Sequence, residues 1–173
     1  MAVARYAALL RGVSPMNAKM PELKRCFEGA GLGDVVTVLS SGNVVFSVRA
    51  SAEATLERRI EKAMQAALGR SFQTHVRRID ALQAMLDADP YRGLRLPPGS
   101  KRVITFLRVE PAKPPTLPIR CDDASIHALR GREAYTSYVP GPEGPTFMRL
   151  IEKTFGKDIT TRTWDTIARL VVR

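Results

Sequence analysis

Two β-branched runs, Asp34 to Leu39 and Val44-Val45-Phe46-Ser47-Val48, are separated by Ser40-Ser41-Gly42-Asn43. Such a break between strand-like runs is a hairpin signal, because Gly or Asn can take the positive φ a tight turn needs. The hairpin fixes the frame for what surrounds it. Before it, Arg5-Tyr6-Ala7-Ala8-Leu9-Leu10 is apolar on both faces, as in a central strand. Pro21 then suits a first helical turn, and Leu23, Cys26, Phe27 and Ala30 follow at helical spacing up to Gly29 and Gly31. After it, Leu56, Ile60, Ala63, Met64, Ala67 and Leu68 make one apolar stripe within Ala52–Leu68, closed by Gly69. Phe72 to Arg77 reads as a fourth strand.

The order strand, helix, strand, strand, helix, strand is that of the ferredoxin-like split βαβ. We expect an α+β protein with a ferredoxin-like βαββαβ unit and a linking helix over residues 1–90. A second α+β half with an antiparallel sheet, packed on the first, is expected over 91–173. The helix Ile79 to Leu86 and the Pro- and Gly-rich stretch Tyr91 to Ser100 mark the join. In the second half, Arg102 to Val109 predicts a strand, and Pro111 to Pro118 an extended connector. Ser125–Leu129 and Glu133–Val139 predict a hairpin around Gly131. Pro140 to Pro145 reads as a loop, Phe147–Phe155 as a helix, and Thr160-Thr161-Arg162-Thr163 as the lead into a last helix, Trp164–Val172.

This topology makes strands one and three antiparallel neighbours in mid-sheet. The end of strand one, Arg11-Gly12, then lies beside Ser41-Gly42-Asn43, with the start of the first helix and Gly69-Arg70-Ser71 at the same end. Guanidiniums, hydroxyls, an amide and a helix N-terminus on one rim suit an anion. The plainer alternative is that Gly12, Gly42 and Asn43 serve only the turns. Near the C-terminus, Thr161 or Thr163 can N-cap the last helix, with Trp164 anchoring it. The functional alternative makes Arg162 and that helix start a second anion-binding element.

The blocks Tyr6-Ala7-Ala8-Leu9-Leu10-Arg11-Gly12-Val13, Lys19-Met20-Pro21-Glu22-Leu23 and Ser41-Gly42-Asn43-Val44-Val45-Phe46 resemble the uncharacterised bacterial family known as domain of unknown function 1697. Thr160 to Ile167 is similar to its closing signature. The resemblance implies ferredoxin-like elements and no particular activity. It puts Arg11, Ser41, Gly42, Asn43, Thr161, Arg162, Trp164 and Thr166 at motif positions. This chain departs from the family pattern at Ser14-Pro15-Met16-Asn17, where an Asn-Val-Gly-Gly-like loop is usual. It departs again at Thr163 and Asp165, where Asn is usual.

Charge and motifs bound the function classes. The net charge of +10 invites a polyanion, but the twenty Arg and seven Lys are spread along the chain with no block of five or six. Phe46 alternates with the apolar set of its strand and points to the core, which argues against a base-stacking platform. No P-loop, Gly-x-Ser-x-Gly, His-Glu-x-x-His or dinucleotide fingerprint occurs, and His75 and His127 stand alone. We therefore assign no catalytic motif, no cofactor and no metal. Cys26 and Cys121 fit no metal or redox spacing and read as small buried hydrophobes. With no long apolar run and no leader pattern at Met1–Tyr6, a soluble cytoplasmic protein without membrane attachment is expected. The partners left open are a small anionic ligand, nucleic acid through the basic surface, and a second copy of the chain. The ligand-binding candidates are Arg11, Ser41, Gly42, Asn43, Arg70, Thr161, Arg162 and Trp164.

Overall fold

The computed structural model describes residues 2–141 and 146–173. The chain divides into two compact units, Met1–Asp87 with Ala168–Arg173, and Ala88–Ile167.

The first unit contains β1 (Val3–Leu10), α1 (Met20–Gly29), β2 (Gly33–Val38), β3 (Asn43–Arg49), α2 (Glu53–Leu68) and β4 (Thr74–Arg78). Its sheet has the order β2-β3-β1-β4, with β1 antiparallel to both β3 and β4. This is the expected ferredoxin-like arrangement. Period-two alternation sends Tyr6, Ala8, Leu10, Val44, Phe46 and Val76 into one core with Leu23 and Phe27 of α1 and Leu56, Ile60 and Met64 of α2. Phe46 stacks on Tyr6 at 5.8 Å and meets Phe27 at 5.9 Å, as its position in the alternation predicts. Residues of the opposite face, Ala7, Leu9 and Val45, are also buried, as the apolar run of β1 requires.

Pro21 lies in the first turn of α1, where its missing N–H costs nothing. At the other end of α1, Arg59 of α2 donates Nε–H to the Ala30 carbonyl at 3.1 Å, which satisfies the helix terminus and ties the two helices together.

The open edge of β4 is closed by α2. Three glutamates spaced i, i+4, i+8 accept the outward N–H groups of alternate β4 residues. Glu53 takes Arg78 N–H at 2.9 Å, Glu57 takes Val76 N–H at 2.9 Å, and Glu61 takes Thr74 N–H at 3.0 Å. The two periodicities match because four helical residues rise about 6.0 Å and two strand residues about 6.7 Å. The directions oppose, so α2 runs antiparallel to β4. Glu57 is 1 % exposed and lies 4.0 Å from the buried Arg77 guanidinium.

α3 (Ile79–Ala88) follows β4 directly. The second unit then holds β5 (Lys101–Leu107), β6 (Ile119–Cys121), β7 (Ala124–Arg130), β8 (Glu133–Tyr138), α4 (Thr146–Phe155) and β9 (Ile159–Thr163), and leads into α5 (Trp164–Leu170). Its antiparallel sheet has the order β6-β7-β8-β5-β9. Phe147, Leu150 and Ile151 of α4 pack on Val103, Leu107, Ala124, Ile126, Ala134 and Ile159.

The structure adds two strands to the reading of this half and corrects one residue. Thr160–Thr163 leads directly into α5, as expected, and is itself most of β9, an edge strand whose polar residues disguise it. β6 adds a three-residue strand just after the proline-rich connector. Cys121 is exposed rather than buried, because it ends this short edge strand, whereas Cys26 is buried as expected. The loop expected at Pro140–Pro145 lies, from 142 to 145, outside the described residues.

Tyr91, in the stretch read as a join, is a structural hub. Its hydroxyl accepts the Thr136 N–H at 3.1 Å and lies 2.7 Å and 2.9 Å from the carbonyls of Thr136 and Val103. Burial pushes the phenol pKa well above its ordinary value.

Glu57→Ala removes a buried carboxylate that serves both Val76 N–H and Arg77. We expect a loss of about 3 kcal/mol or more in urea unfolding. Glu61→Ala, at a half-buried position, is expected to lose about 1 kcal/mol. Equal losses for the two would contradict the account of the closed edge.

Candidate functional site

The rim anticipated from topology forms at the level of the backbone. Leu9 stands opposite Asn43, the Leu10 N–H donates to Gly42 O at 2.8 Å, and the Arg11 N–H donates to Gln73 O at 2.8 Å. The end of β1 is therefore flanked by the Ser41-Gly42-Asn43 turn on one side and by the start of β4 on the other. Arg70 lies three residues before Gln73, on the same side.

Asn43 acts within the turn. It is fully buried, and its Nδ2 donates to Val38 O and to Ser41 Oγ, both at 3.0 Å. The side chain thus spans the hairpin from inside. Gly42 has φ +86°, and a Cβ there would meet Val13 Cβ at 2.9 Å and Leu10 Cβ and O at 3.0 Å. The position needs glycine for its backbone angle and for the close approach of β1.

The loop after β1 is folded on Asn17. Asn17 Nδ2 donates to Gly12 O at 2.7 Å, and its Oδ1 accepts the Ser14 N–H at 2.9 Å. Arg70 Nη1 reaches the Asn17 carbonyl at 3.5 Å, at the limit of a hydrogen bond. Beside this contact opens a groove of about 580 Å³, lined by Asn17, Glu22, Arg25, Cys26, Leu68 and Arg70 among others. Arg25 and Arg70 are exposed. Neither is held by a carboxylate among the described residues. Cys26 lies at the groove, and burial raises its thiol pKa, so it is not an activated nucleophile.

Of the sequence candidates, only Arg70 lines this groove. Arg11, Ser41, Gly42 and Asn43 form the neighbouring strand end and turn. Asn17, Glu22 and Arg25 were not anticipated. Asn17 sits in the loop that departs from the family pattern, and Glu22 in the block Lys19–Leu23 that resembles it.

Thr161, Arg162 and Trp164 belong to the second unit. Arg162 is buried, and its Nη1 donates to Thr160 Oγ1 at 2.8 Å and Thr161 O at 2.7 Å. Burial lowers its pKa to about 10, which still leaves it charged at neutral pH. Thr163 Oγ1 accepts the Thr166 N–H at 3.2 Å, so the start of α5 carries the expected hydroxyl cap. Trp164 packs edge-on against Tyr91 at 5.4 Å, and the Arg102 guanidinium lies 5.3 Å from its ring centroid.

The profile of the family described as protein of unknown function, DUF1697, matches residues 3–135. The chain belongs to DUF1697. The match takes in the β1 end, the Gly42 turn and the groove residues, and stops before Thr160–Ile167. Among solved structures, the conserved bacterial protein SP0830 from Streptococcus pneumoniae is similar to this DUF1697 chain, with a TM-score of 0.66. That similarity covers 99% of this chain and 98% of that one at 17% sequence identity, a level that speaks for the fold alone. No curated protein matches the chain.

Among the described residues, no helix is long and apolar enough to cross a membrane, and no group of three or more His, Cys, Asp or Glu side chains is placed to hold a metal.

The two glycines at this end separate steric need from turn preference. Gly12→Ala adds a Cβ with nothing within 4 Å, at φ +81°, and is expected to cost about 1–2 kcal/mol. Gly42→Ala adds the same backbone strain plus the contacts with Val13 and Leu10. It is expected to cost about 3 kcal/mol in denaturant unfolding, clearly more than Gly12→Ala.

Proposed function

We propose that the chain binds a small anionic ligand at the β1–α1 end of its first unit, in the groove lined by Arg25 and Arg70. The observation that carries the reading is two guanidiniums on one groove with no carboxylate holding either among the described residues. Glu22 is the one acidic side chain of the lining, so the groove keeps a positive balance. Arg70 reaches toward the Asn17 carbonyl at 3.5 Å, and its planar fork suits a carboxylate or phosphate. Of the rim residues read from the sequence, Ser41 is exposed and Arg11 half-buried, whereas Gly42 and Asn43 are buried and serve the turn. The reading carries no catalytic step. The two free cysteines, Cys26 and Cys121, fit a reducing cytoplasmic setting.

The overall charge of +10 favours nucleic acid as a second reading. Against it stands the burial of Tyr6 and Phe46, which takes both aromatics out of reach of a base.

A thermal-shift series with inorganic phosphate, pyrophosphate and citrate, at constant ionic strength, tests the proposal. Saturating ligand at a hundredfold its Kd stabilises by about 2.7 kcal/mol. We expect at least one anion to raise Tm, and Arg25→Ala and Arg70→Ala each to reduce that rise. No rise with any anion, or an equal rise in both variants, overturns it. Labelled single-stranded RNA and DNA tested across a salt series decide the second reading. Binding with a steep salt slope supports it, and absence of binding at low salt removes it.

A further inference from the structure

A smaller cavity, of about 180 Å³, lies in the second unit. Its polar wall combines both signs of charge. Arg95 comes from the loop before β5, Arg120 from β6, and Asp122 and Asp123 from the β6–β7 turn. All four side chains are exposed, and among the described residues none of them forms an ion pair. Opposite charges that share one cavity without neutralising each other leave both a positive and a negative position open to a guest.

The base of the cavity is built from strand residues. His127 Nε2 and Ser137 Oγ are hydrogen-bonded at 2.7 Å, and Ser125 stands directly opposite Ser137 across β7 and β8. The register shifts between Ile126 and Ala128, which leaves His127 as the extra residue of a β-bulge. Bulges re-aim side chains and recur beside binding sites. The His127 ring is also held edge-on to Tyr91, at 6.1 Å. Burial, and secondarily the charge of Arg120, lowers the His127 pKa, so the imidazole is neutral at neutral pH. The lining then has two cations, two anions and a neutral hydrogen-bonding floor.

We infer that this cavity is a binding site for a small zwitterion of free amino-acid size. The arginines take its carboxylate, the aspartates take its ammonium, and the Ser137–His127 pair and Ser125 meet its polar remainder. Charge selects this class. A simple anion attracted by Arg95 and Arg120 meets Asp122 and Asp123 at the same mouth, and a simple cation meets the reverse. A dipolar molecule satisfies both at once. The cavity, of about 180 Å³, has room for several waters and so for a compact organic molecule.

The test is an NMR titration of the full-length, isotope-labelled protein with each of the common free amino acids. Acetate and methylammonium, the two halves of glycine, serve as single-charge probes. We expect at least one amino acid to give saturable amide shifts confined to the β6–β7 turn, β7 and β8, with neither half-probe reproducing them. The double variants Arg95→Gln/Arg120→Gln and Asp122→Asn/Asp123→Asn each change exposed side chains, and an unaltered spectrum elsewhere verifies the fold. Each is expected to weaken binding by about tenfold or more. The inference is overturned if no amino acid gives saturable shifts, if acetate or methylammonium alone reproduces them, or if either double variant binds as the wild type does.

Discussion

The open side of β4 is the constraint around which the first unit is arranged. A four-stranded sheet with β4 at its border exposes a row of N–H groups that must be paired, solvated or covered. Here the row is taken by carboxylates, one from each successive turn of α2. This sets the direction of α2, its distance from the strand and its rotation about its own axis. With the rotation set, Leu56, Ile60 and Met64 face the core and Arg59 reaches the end of α1. The carboxylates also blunt the edge against pairing with another chain, because a further strand would have to displace them. Burying Glu57 is costly by itself. Its cost is offset by the Val76 N–H and by the Arg77 guanidinium 4.0 Å away.

That device was not legible in the sequence, and the reason is physical. Glu53, Glu57 and Glu61 sit among Arg58, Arg59 and Lys62, on the flank of the apolar stripe of α2. By periodicity they read as a solvated face. Only the pairing register, which puts Thr74, Val76 and Arg78 N–H outward, distinguishes a ladder of acceptors from surface charge. The sheet order was legible for the opposite reason. Strands β1, β2 and β3 carry apolar alternation, and a Gly-containing turn joins the last two, so their pairing follows from local chemistry. β9 escaped because Thr-Thr-Arg-Thr has β-branched residues but no apolar face, and Tyr91 escaped because its neighbours are turn residues.

The candidate site divides along the same line. The adjacency of the β1 end and the Gly42 turn is a consequence of antiparallel pairing, and it was read from topology alone. The turn residues then prove to be committed inward: Asn43 bonds across the hairpin, and Gly42 leaves no room for a side chain. The groove depends on side chains from three separate elements, namely Asn17 in a loop, Arg25 on α1 and Arg70 beyond α2. No spacing rule links those positions in the sequence. Their convergence is set by how the Asn17-centred loop folds back, which its own hydrogen bonds decide.

The excess of arginine bears on how the net charge is to be understood. Arg5 donates to the carbonyls of Asp34 and Arg173, Arg59 to Ala30, Arg77 to Val76, Arg132 to Arg108 and Arg162 to Thr161. These guanidiniums serve as multi-donor links to carbonyls that strands and helix ends leave open, a task for which the planar fork is better suited than an ammonium. Arg77 and Arg162 are buried and unavailable to a polyanion. A fraction of the +10 charge is therefore structural and has no bearing on external partners. What bears on them is local: the guanidiniums that line a cavity without a carboxylate to hold them. By that criterion, among the described residues, Arg25 and Arg70 in the first unit and Arg95 and Arg120 in the second are cations that line a cavity with no carboxylate holding them. The proposed sites draw on such pairs, whereas a long polyanion would need a continuous track of exposed charge.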